Sequence, residues 1–205
     1  MRVVNTCKAC RRLGVSVCGR QKCAVTRKPY PPGMNGKKFR RGASEFGQQL
    51  KEKQKIRLTY GLREKQFKNL VLAAFKQRSM NTPEAVVLSL ESRLDNVAYR
   101  FGLAPTRGAS RQMVGHGHIT VNGRRVTIPS YHVKVSDVIG LRQQSVGKKL
   151  FADLESMTKK NQLPSWLAWE QGKHEGRIVA YPAADALSEL GRGFNISAIV
   201  EYYSR

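Results

Sequence analysis

All four cysteines of this 205-residue chain fall in one short segment, and their spacing predicts a metal site. Two residues separate Cys7 from Cys10, seven lie between Cys10 and Cys18, and four lie between Cys18 and Cys23. A Cys-x-x-Cys turn presents two thiolates to one ion, and a second close pair completes a tetrahedral shell. The chain does not begin with a secretory signal, so we expect reduced thiols rather than disulfides. A shell of four thiolates leaves no open coordination position, which indicates a structural role.

The identity of the metal stays open at this point. Four thiolates do not distinguish Zn²⁺ from an iron–sulfur cluster, because both accept a tetrahedral sulfur shell. Zinc is the expected ion because structural four-cysteine zinc sites use this short spacing, and a [4Fe–4S] cluster is the alternative. In either case a module this small buries too little apolar surface to fold without such a cross-link.

The chain carries a large positive charge that is concentrated in its first three quarters. It contains 37 Lys and Arg residues against 14 Asp and Glu residues, a formal net charge of +23. Residues 1–60 account for a net +14, whereas residues 151–205 sum to −1. A compact chain with this charge repels itself unless a polyanion is bound, and nucleic acid is the expected one. No apolar stretch of about 18 residues occurs. A membrane-surface role is disfavoured, because the helix predicted between Ser44 and Tyr60 is polar around most of its circumference.

The segment from Lys28 to Ala43 is rich in proline, glycine, lysine and arginine, which argues against a regular helix or strand. We interpret it as an extended basic arm that lies along a phosphate backbone rather than as a solvated linker.

Helical periodicity follows in residues 44–102. Ser44 is predicted to cap the first helix, and Gly61 is the glycine expected just after its C-terminus. A third helix is predicted to start at Thr82 and Pro83. The second helix lies between these two. It is predicted from an apolar stripe at helical spacing, which would face a core and consists of Phe67, Leu70, Val71, Ala74 and Phe75.

Between Glu91 and Leu141 the pattern changes from helical to alternating. Thr106 is predicted to cap a short helix that exposes Arg107 and Arg111. Asn122-Gly123 favours a type I′ hairpin turn between the strands Ile119–Val121 and Arg124–Ile128, and Val133 to Ile139 suggest one more strand. The sequence therefore predicts an α+β fold, in which a small RNA-binding domain of two helices and a hairpin-containing sheet is inserted into a mostly helical domain.

The sequence offers no basis for an enzyme. His116 and His118 flank Gly117, but two ligands without a nearby cysteine or carboxylate make a poor metal site. We find no Ser–His–acid arrangement, no phosphate-binding glycine loop and no paired carboxylates. Hydrogen bonding to RNA or simple exposure is the better interpretation of the two histidines.

Several motifs occur in order along nearly the whole chain. The first are Ser44-Glu45-Phe46-Gly47-x-Gln49-Leu50-x-Glu52-Lys53-Gln54-Lys55, Tyr60-Gly61 and Glu64-x-Gln66-Phe67. The next are Arg93-Leu94-Asp95-Asn96-Val97, Ala104-Pro105-Thr106-Arg107, Arg111-Gln112-Met113-Val114 and Ile119-Thr120-Val121-Asn122-Gly123, and the last is Glu201-Tyr202-Tyr203-Ser204. Together these motifs resemble the S-four family of bacterial small-subunit ribosomal proteins. The four cysteines are similar to those of its metal-containing branch.

The resemblance implies a non-enzymatic, structural protein of the small ribosomal subunit, located on cytoplasmic ribosomes. It implies binding to the 5′ domain of small-subunit ribosomal RNA at a multi-helix junction, nucleation of the subunit body, and contributions to the mRNA entry region and translational accuracy. The implied partners are this RNA, mRNA near the entry channel and the ribosomal proteins S-five and S-three, with no membrane and no small-molecule substrate. The alternative is a non-ribosomal RNA-binding or RNA-modifying protein that uses the same RNA-binding unit.

We expect three regions: residues 1–43 as the cysteine module and basic arm, residues 44–90 as a helical domain completed by the returning segment 151–205, and residues 91–150 as the RNA-binding domain. The segment Ala183 to Phe194 has few basic residues, so RNA contacts are not expected there. The side chains expected to contact RNA are Arg11, Arg12, Lys37, Lys38, Arg40, Arg41, Lys51, Lys53, Lys55, Arg57, Arg93, Arg107, Arg111, Gln112, His116 and Arg124.

Overall fold

A computed structural model of the chain describes residues 6–20, 22–38, 42–77, 79–148, 151, 158, 163–170, 174–182 and 194–204. The predicted contacts of Arg40 and Arg41, and all but Phe194 of the segment 183–194, lie outside these residues. The described part of the chain combines helices with one antiparallel sheet, which confirms the predicted α+β class. It divides into two compact units, one formed by residues up to Val86 together with the C-terminal helix and the other by residues from Val87 to Ala186. No described helix has the length and apolar character needed to cross a bilayer.

The first unit is helical. Its helices are α1 (Cys7–Leu13), α2 (Ala24–Arg27), α3 (Glu45–Thr59), α4 (Glu64–Lys76) and α9 (Ile196–Ser204). Helix α3 begins as predicted, because the Ser44 side chain accepts a hydrogen bond from the Gly47 N–H at 3.2 Å. It ends at Tyr60 and Gly61, and Gly61 has a positive φ of 61°, as a glycine after a helix C-terminus should.

Helix α9 packs against α3 and α4 and closes this unit. Ile199 is its buried apolar residue, and the ring of Tyr202 stacks on that of Phe46 with 5.5 Å between centroids. The amide of Gln49 donates a hydrogen bond to Glu201 at 3.1 Å. In α4 the predicted core stripe holds at Phe67, Val71 and Ala74, whereas Leu70 and Phe75 are half-buried.

The second unit is built around a five-stranded sheet. Helix α5 (Thr82–Glu91) leads into it, and its other elements are α6 (Leu94–Arg100), α7 (Arg107–Gly115), β1 (Ile119–Val121), β2 (Arg124–Arg125), β3 (Val138–Leu141), α8 (Gln143–Val146), β4 (Leu167–Glu170) and β5 (Glu175–Ile178). The strand order is β2-β1-β3-β5-β4, and every neighbouring pair is antiparallel.

The hairpin between β1 and β2 forms at the predicted turn. Asn122 and Gly123 have positive φ angles of 50° and 76°, the combination that a type I′ turn needs. The returning strand is shorter than predicted. Arg124 and Arg125 pair with β1, and the last backbone bond runs from the Val126 N–H to the carbonyl of Ile119 at 3.2 Å. The chain then leaves the sheet, and Val133 donates its N–H to the carbonyl of Ser92 at 2.9 Å rather than joining β3.

The segment 151–205 is divided differently from the prediction. Among the elements of this segment that the structure describes, α9 packs with the helical unit, whereas β4 and β5 extend the sheet of the second unit. Strand β5 pairs with β3 from Val138↔Arg177 to Gly140↔Glu175. Without this pairing β3 would present a row of unpaired backbone groups at the sheet edge.

The core of the second unit lies between the helices and the sheet. The fully buried residues Leu94, Val97 and Phe101 of α6 and its C-terminus belong to the same apolar cluster as Ile119 and Ile139 of the sheet. The returning segment contributes Trp166, Leu167 and Ile178 to that cluster, and the half-buried Trp169 packs on Phe101 at a centroid distance of 5.3 Å.

Candidate metal site and nucleic-acid interface

The four cysteines belong to one small packed cluster of the first unit, in which the sulfurs of Cys7, Cys18 and Cys23 form the closest group. Helix α1 carries Cys7 and Cys10, Cys18 lies in the following loop, and Cys23 precedes α2. The Sγ atoms of Cys7, Cys18 and Cys23 all lie within 4.8 Å of one another, and Cys18 and Cys23 are 3.6 Å apart. All four side chains belong to one small cluster with Leu13 and Val17, so the sulfurs can serve a metal that also holds this module together.

The sulfur atoms of Cys10 and Cys23 have different electrostatic surroundings. Burial raises the pKa of Cys10 to about 12, and hydrogen bonds with Cys18 and Cys23 add to this effect. Burial opposes ionisation of Cys23 too, but hydrogen bonds from the Val25 N–H and from neighbouring side chains lower its pKa to about 7. A cation bound among the sulfurs reverses the cost of ionising a buried thiol, because its charge stabilises the thiolates. The donor set and its spacing fit a metal ion.

Arg11 joins the start of the predicted basic arm to the cysteine module. Its guanidinium donates to the carbonyls of Tyr30 at 3.0 Å and Pro31 at 3.2 Å, and it lies 4.7 Å from the centre of the Tyr30 ring. Lys37 approaches the same ring at 5.4 Å. Arg11 is thus largely engaged within the protein, whereas Arg12, Lys37 and Lys38 are exposed.

Lys53, one of the predicted RNA contacts, is engaged within the protein. Its side chain is buried, and its ammonium lies 2.6 Å from Glu64 and 4.4 Å from the centre of the Tyr202 ring. Arg57 reaches the same carboxylate at 3.2 Å, and Lys55 pairs with Glu52 one turn away. Of the four cations predicted on α3, Lys51 is exposed, Lys55 and Arg57 are half-buried and Lys53 is buried.

In the second unit, Arg93 and Arg111 converge on one buried carboxylate. Arg93 makes two hydrogen bonds to Asp95, at 3.1 and 3.0 Å, and Arg111 adds a third at 2.7 Å. Arg93 is only 7% exposed and is engaged by this carboxylate, which does not favour the RNA contact predicted for it. Arg111 remains about one-third exposed, and its guanidinium is held in place at the surface of α7.

A second buried network fixes Arg107. The carboxylate of Glu91 accepts two hydrogen bonds from Arg100, both at 3.0 Å, and one from the Asn96 amide at 2.9 Å. The Asn96 oxygen in turn accepts from Arg107 at 2.8 Å, and the Arg107 guanidinium lies 4.5 Å from the centre of the Tyr99 ring. Glu91, Asn96 and Arg100 were not predicted. The signal for such a network was the presence of Glu91 and Arg100 close in sequence to the predicted contact Arg93.

The remaining predicted contacts of the second unit lie on its exposed surface. Gln112 follows Arg111 on α7, His116 follows the end of that helix, and Arg124 begins β2. Neighbouring cations that the prediction left out are exposed or half-exposed as well: Arg125, Arg142 and Lys148.

Known families match both units. Residues 4–91 match the family described as "Ribosomal protein S4/S9 N-terminal domain", and residues 92–139 match the family described as "S4 domain". These two matches place the chain in the class of S4/S9-type ribosomal proteins. The chain is 45% identical to the small ribosomal subunit protein uS4 of Pediococcus pentosaceus over 97% of its length and 95% of that protein's, and 44% identical to that of Christiangramia forsetii over 97% and 96%. The chain belongs to the uS4 family. The resemblance inferred from the motifs is therefore confirmed.

Proposed function

We propose that this chain is a structural component of the small ribosomal subunit that binds ribosomal RNA. The main evidence is the near full-length similarity to proteins named small ribosomal subunit protein uS4. The net charge of +23 and the exposed cations of both units support the same conclusion. The alternative of a non-ribosomal RNA-binding or RNA-modifying protein has no comparable support.

RNA recognition of this kind depends on shape. Cationic side chains contact phosphates and 2′-hydroxyls of folded RNA, and guanidinium groups that are already fixed lose little conformational freedom on binding. Arg107 and Arg111 fulfil this condition through their bonds to Asn96 and Asp95. If six to ten phosphates are neutralised, affinity falls by roughly three or more decades between low and moderate salt on the duplex-DNA scale.

The more specific roles follow from family membership. In this proposal the chain binds the 5′ domain of the RNA at a multi-helix junction, nucleates assembly of the subunit body, and lies beside the mRNA entry channel with the ribosomal proteins S-five and S-three. It contributes to translational accuracy from that position and acts on cytoplasmic ribosomes. No catalytic step is required of it.

The cysteine module is proposed to bind one zinc ion. Because Zn–S bonds are about 2.3 Å long, sulfurs around one tetrahedral zinc lie about 3.8 Å apart. The 3.6 Å separation of Cys18 and Cys23, and the 4.8 Å limit that includes Cys7, support a single shared ion. In the alternative [4Fe–4S] cluster each cysteine binds a different iron, which requires the sulfurs to stand further apart.

Chemical footprinting of small-subunit ribosomal RNA with the purified protein tests the main proposal. Protection confined to one multi-helix junction in the 5′ domain is expected, and scattered protection or none contradicts it. Elemental analysis of the same preparation tests the metal. One zinc per chain without an iron–sulfur absorption band is expected, whereas iron with inorganic sulfide contradicts the single-ion site.

A further inference from the structure

The sulfur atoms of Cys18 and Cys23 are in direct contact within the cysteine module. Their Sγ atoms are 3.6 Å apart, and four residues separate the two cysteines in the chain. Because a disulfide bond is about 2 Å long, the two sulfurs must approach by roughly 1.5 Å to bond. The Cys7 sulfur lies within 4.8 Å of both, whereas Cys10 is not part of this group. Cys18 and Cys23 are therefore placed to form a disulfide after a small movement.

The two cysteines of this pair differ in their access to solvent. Cys18 is half-buried in the loop between α1 and α2, whereas Cys23 is buried. Cys10 is fully buried, and its sulfur accepts a hydrogen bond from the backbone N–H of Val17 at 3.3 Å. A small oxidant can thus reach Cys18, and an accessible cysteine beside a second thiol is the arrangement found in redox sensors. Cys7 is half-buried as well, so it is the competing point of attack.

A disulfide between Cys18 and Cys23 cannot take over the role proposed for the metal. Cys7 and Cys10 lie on α1, whereas Cys18 and Cys23 follow that helix, so an ion shared by all four cysteines links α1 to the segment before α2. The disulfide closes only the short loop between Cys18 and Cys23. It leaves the two thiolates of α1, which are too few for the closed four-ligand shell of a structural zinc site. Formation of this disulfide would therefore release the ion and remove the cross-link.

We propose that Cys18 and Cys23 form a redox switch, in which a hydroperoxide converts the pair to a disulfide and the proposed zinc ion is released. This inference rests on the proposed function, because it requires the four-cysteine zinc site. It adds a response to oxidants to a module whose proposed role is otherwise structural. The 3.6 Å contact between the two sulfurs and the exposure of Cys18 support this pair.

The reaction takes two steps and consumes one peroxide per disulfide. The Cys18 thiolate attacks one oxygen of hydrogen peroxide, the O–O bond breaks, hydroxide leaves, and Cys18 becomes a sulfenic acid. The Cys23 thiolate then attacks the sulfur of Cys18, the S–O bond breaks, and a second hydroxide leaves. The two sulfurs lose two electrons, which reduce the peroxide to two hydroxide ions that solvent protonates. A thiol reductant reverses the change by thiol–disulfide exchange, after which zinc can bind again.

The first test treats the full-length, zinc-loaded protein with hydrogen peroxide. A chromogenic chelator reports zinc release, and free thiols are alkylated before digestion with trypsin. A lysine or arginine stands between each cysteine and the next, so the four cysteines fall in four tryptic peptides and each pairing has its own mass. We expect one zinc released per Cys18–Cys23 disulfide, with Cys7 and Cys10 alkylated, and recovery of bound zinc after a thiol reductant and fresh zinc. A predominant Cys7–Cys10 disulfide, or zinc release with all four cysteines alkylated, overturns the proposal.

The second test identifies the cysteine that reacts first. A cyclic dione that traps sulfenic acids is added to the wild-type protein together with peroxide, and the adduct is located by peptide mass. The adduct is expected mainly on Cys18, whereas an adduct confined to Cys7, or a sulfinic acid without any disulfide, overturns the switch. Protein that holds no zinc before peroxide is added contradicts the proposed metal site and this inference with it. Zinc release with a different disulfide contradicts the pairing alone, so the two failures are distinct.

Discussion

Nε of Arg111 lies 2.7 Å from Oδ2 of Asp95, although the two residues are sixteen positions apart and belong to different helices. Asp95 is in the first turn of α6, and its backbone carbonyl also accepts a hydrogen bond from Ser110 of α7 at 2.6 Å. One acidic residue therefore fastens α7 to α6 through both its side chain and its backbone. This carboxylate also fixes the orientation of the Arg111 guanidinium at the surface.

Replacing Asp95 by asparagine should destabilise the second unit. The carboxylate is 4% exposed and faces two guanidinium groups, so its removal leaves the buried Arg93 without a counter-charge. We expect the free energy of unfolding in urea to fall by about 3 kcal/mol. Glu175→Gln changes an exposed carboxylate in β5 in the same way and should cost little. Equal stability of the two variants would refute the role given to Asp95.

Two lysines of α3 should separate folding from RNA binding. Lys53→Gln breaks a buried contact to Glu64, and we expect it to lower the free energy of unfolding by about 1–2 kcal/mol, since Glu64 is half exposed. The salt slope of RNA binding should not change. Lys51→Gln alters an exposed side chain two positions away and should leave stability within about 0.5 kcal/mol of the wild type. A smaller salt slope in Lys53→Gln would mean that Lys53 contacts RNA after all.

The contacts of Glu64 should appear in the pH dependence of stability. Burial opposes its ionisation, but Lys53, Tyr203 and Arg57 outweigh this and lower its pKa below the usual 4.5. A group whose pKa is lower in the folded state stabilises the fold above its unfolded pKa and loses that contribution as the pH falls through the folded value. The stability difference between wild type and Glu64→Gln should therefore be largest near neutral pH and shrink below pH 4.5. Denaturant unfolding at a series of pH values measures it, and a difference that does not vary with pH contradicts the expectation.

Gly176 should not tolerate a side chain. A β-carbon there would overlap the ring of Phe101 and press on that of Trp169, so we expect Gly176→Ala to cost about 1–3 kcal/mol. Gly108 in α7 offers a matched control, because a β-carbon there meets no atom closer than 3.9 Å. Gly108→Ala should be neutral or stabilise by up to about 1 kcal/mol. Thermal unfolding of both variants decides the matter, and similar melting temperatures would show that the rings of Phe101 and Trp169 adjust freely.

Removing one sulfur should empty the cysteine module of metal. Cys23→Ser replaces a thiolate by a hydroxyl that binds zinc poorly, and because metal binding is coupled to folding, residues 6–27 should become sensitive to protease. Ser16→Ala removes a hydroxyl next to the Cys18 sulfur and should retain the metal. Metal analysis and limited proteolysis measure both effects. A Cys23→Ser protein with a full complement of metal would exclude Cys23 as a ligand.

The sequence was sufficient to predict a structural feature where a side chain interacts with backbone close to it in the chain. The caps at Ser44 and Thr106 and the Asn122-Gly123 turn were predicted for this reason, and the structure confirms them. The burial of Lys53 was not predicted. Its ion-pair partner Glu64 is eleven positions away, but Tyr202, which also contacts its ammonium, is 149 positions away.

The strands β4 and β5 were missed for a related reason. Each has four residues, and β5 carries Gly176 at its centre, so neither shows a clear alternating pattern. They form because β5 pairs with the edge of β3, which would otherwise be open, and because the rings of Phe101 and Trp169 pack directly against Gly176. Such a dependence on tertiary packing cannot be read from four residues.

The bonds from Arg11 to the carbonyls of Tyr30 and Pro31 have a consequence for the speed and specificity of association. Arg11 shares a helix with Cys7 and Cys10, so the metal ion proposed for the cysteines would also help to fix the start of the basic segment. A tethered cation meets its target in fewer orientations than a freely moving one and gives up less entropy on contact. If the proposed ion is lost, this start of the basic segment should lose its fixed direction but keep its charge, so it should still attract a polyanion with less preference for a particular one.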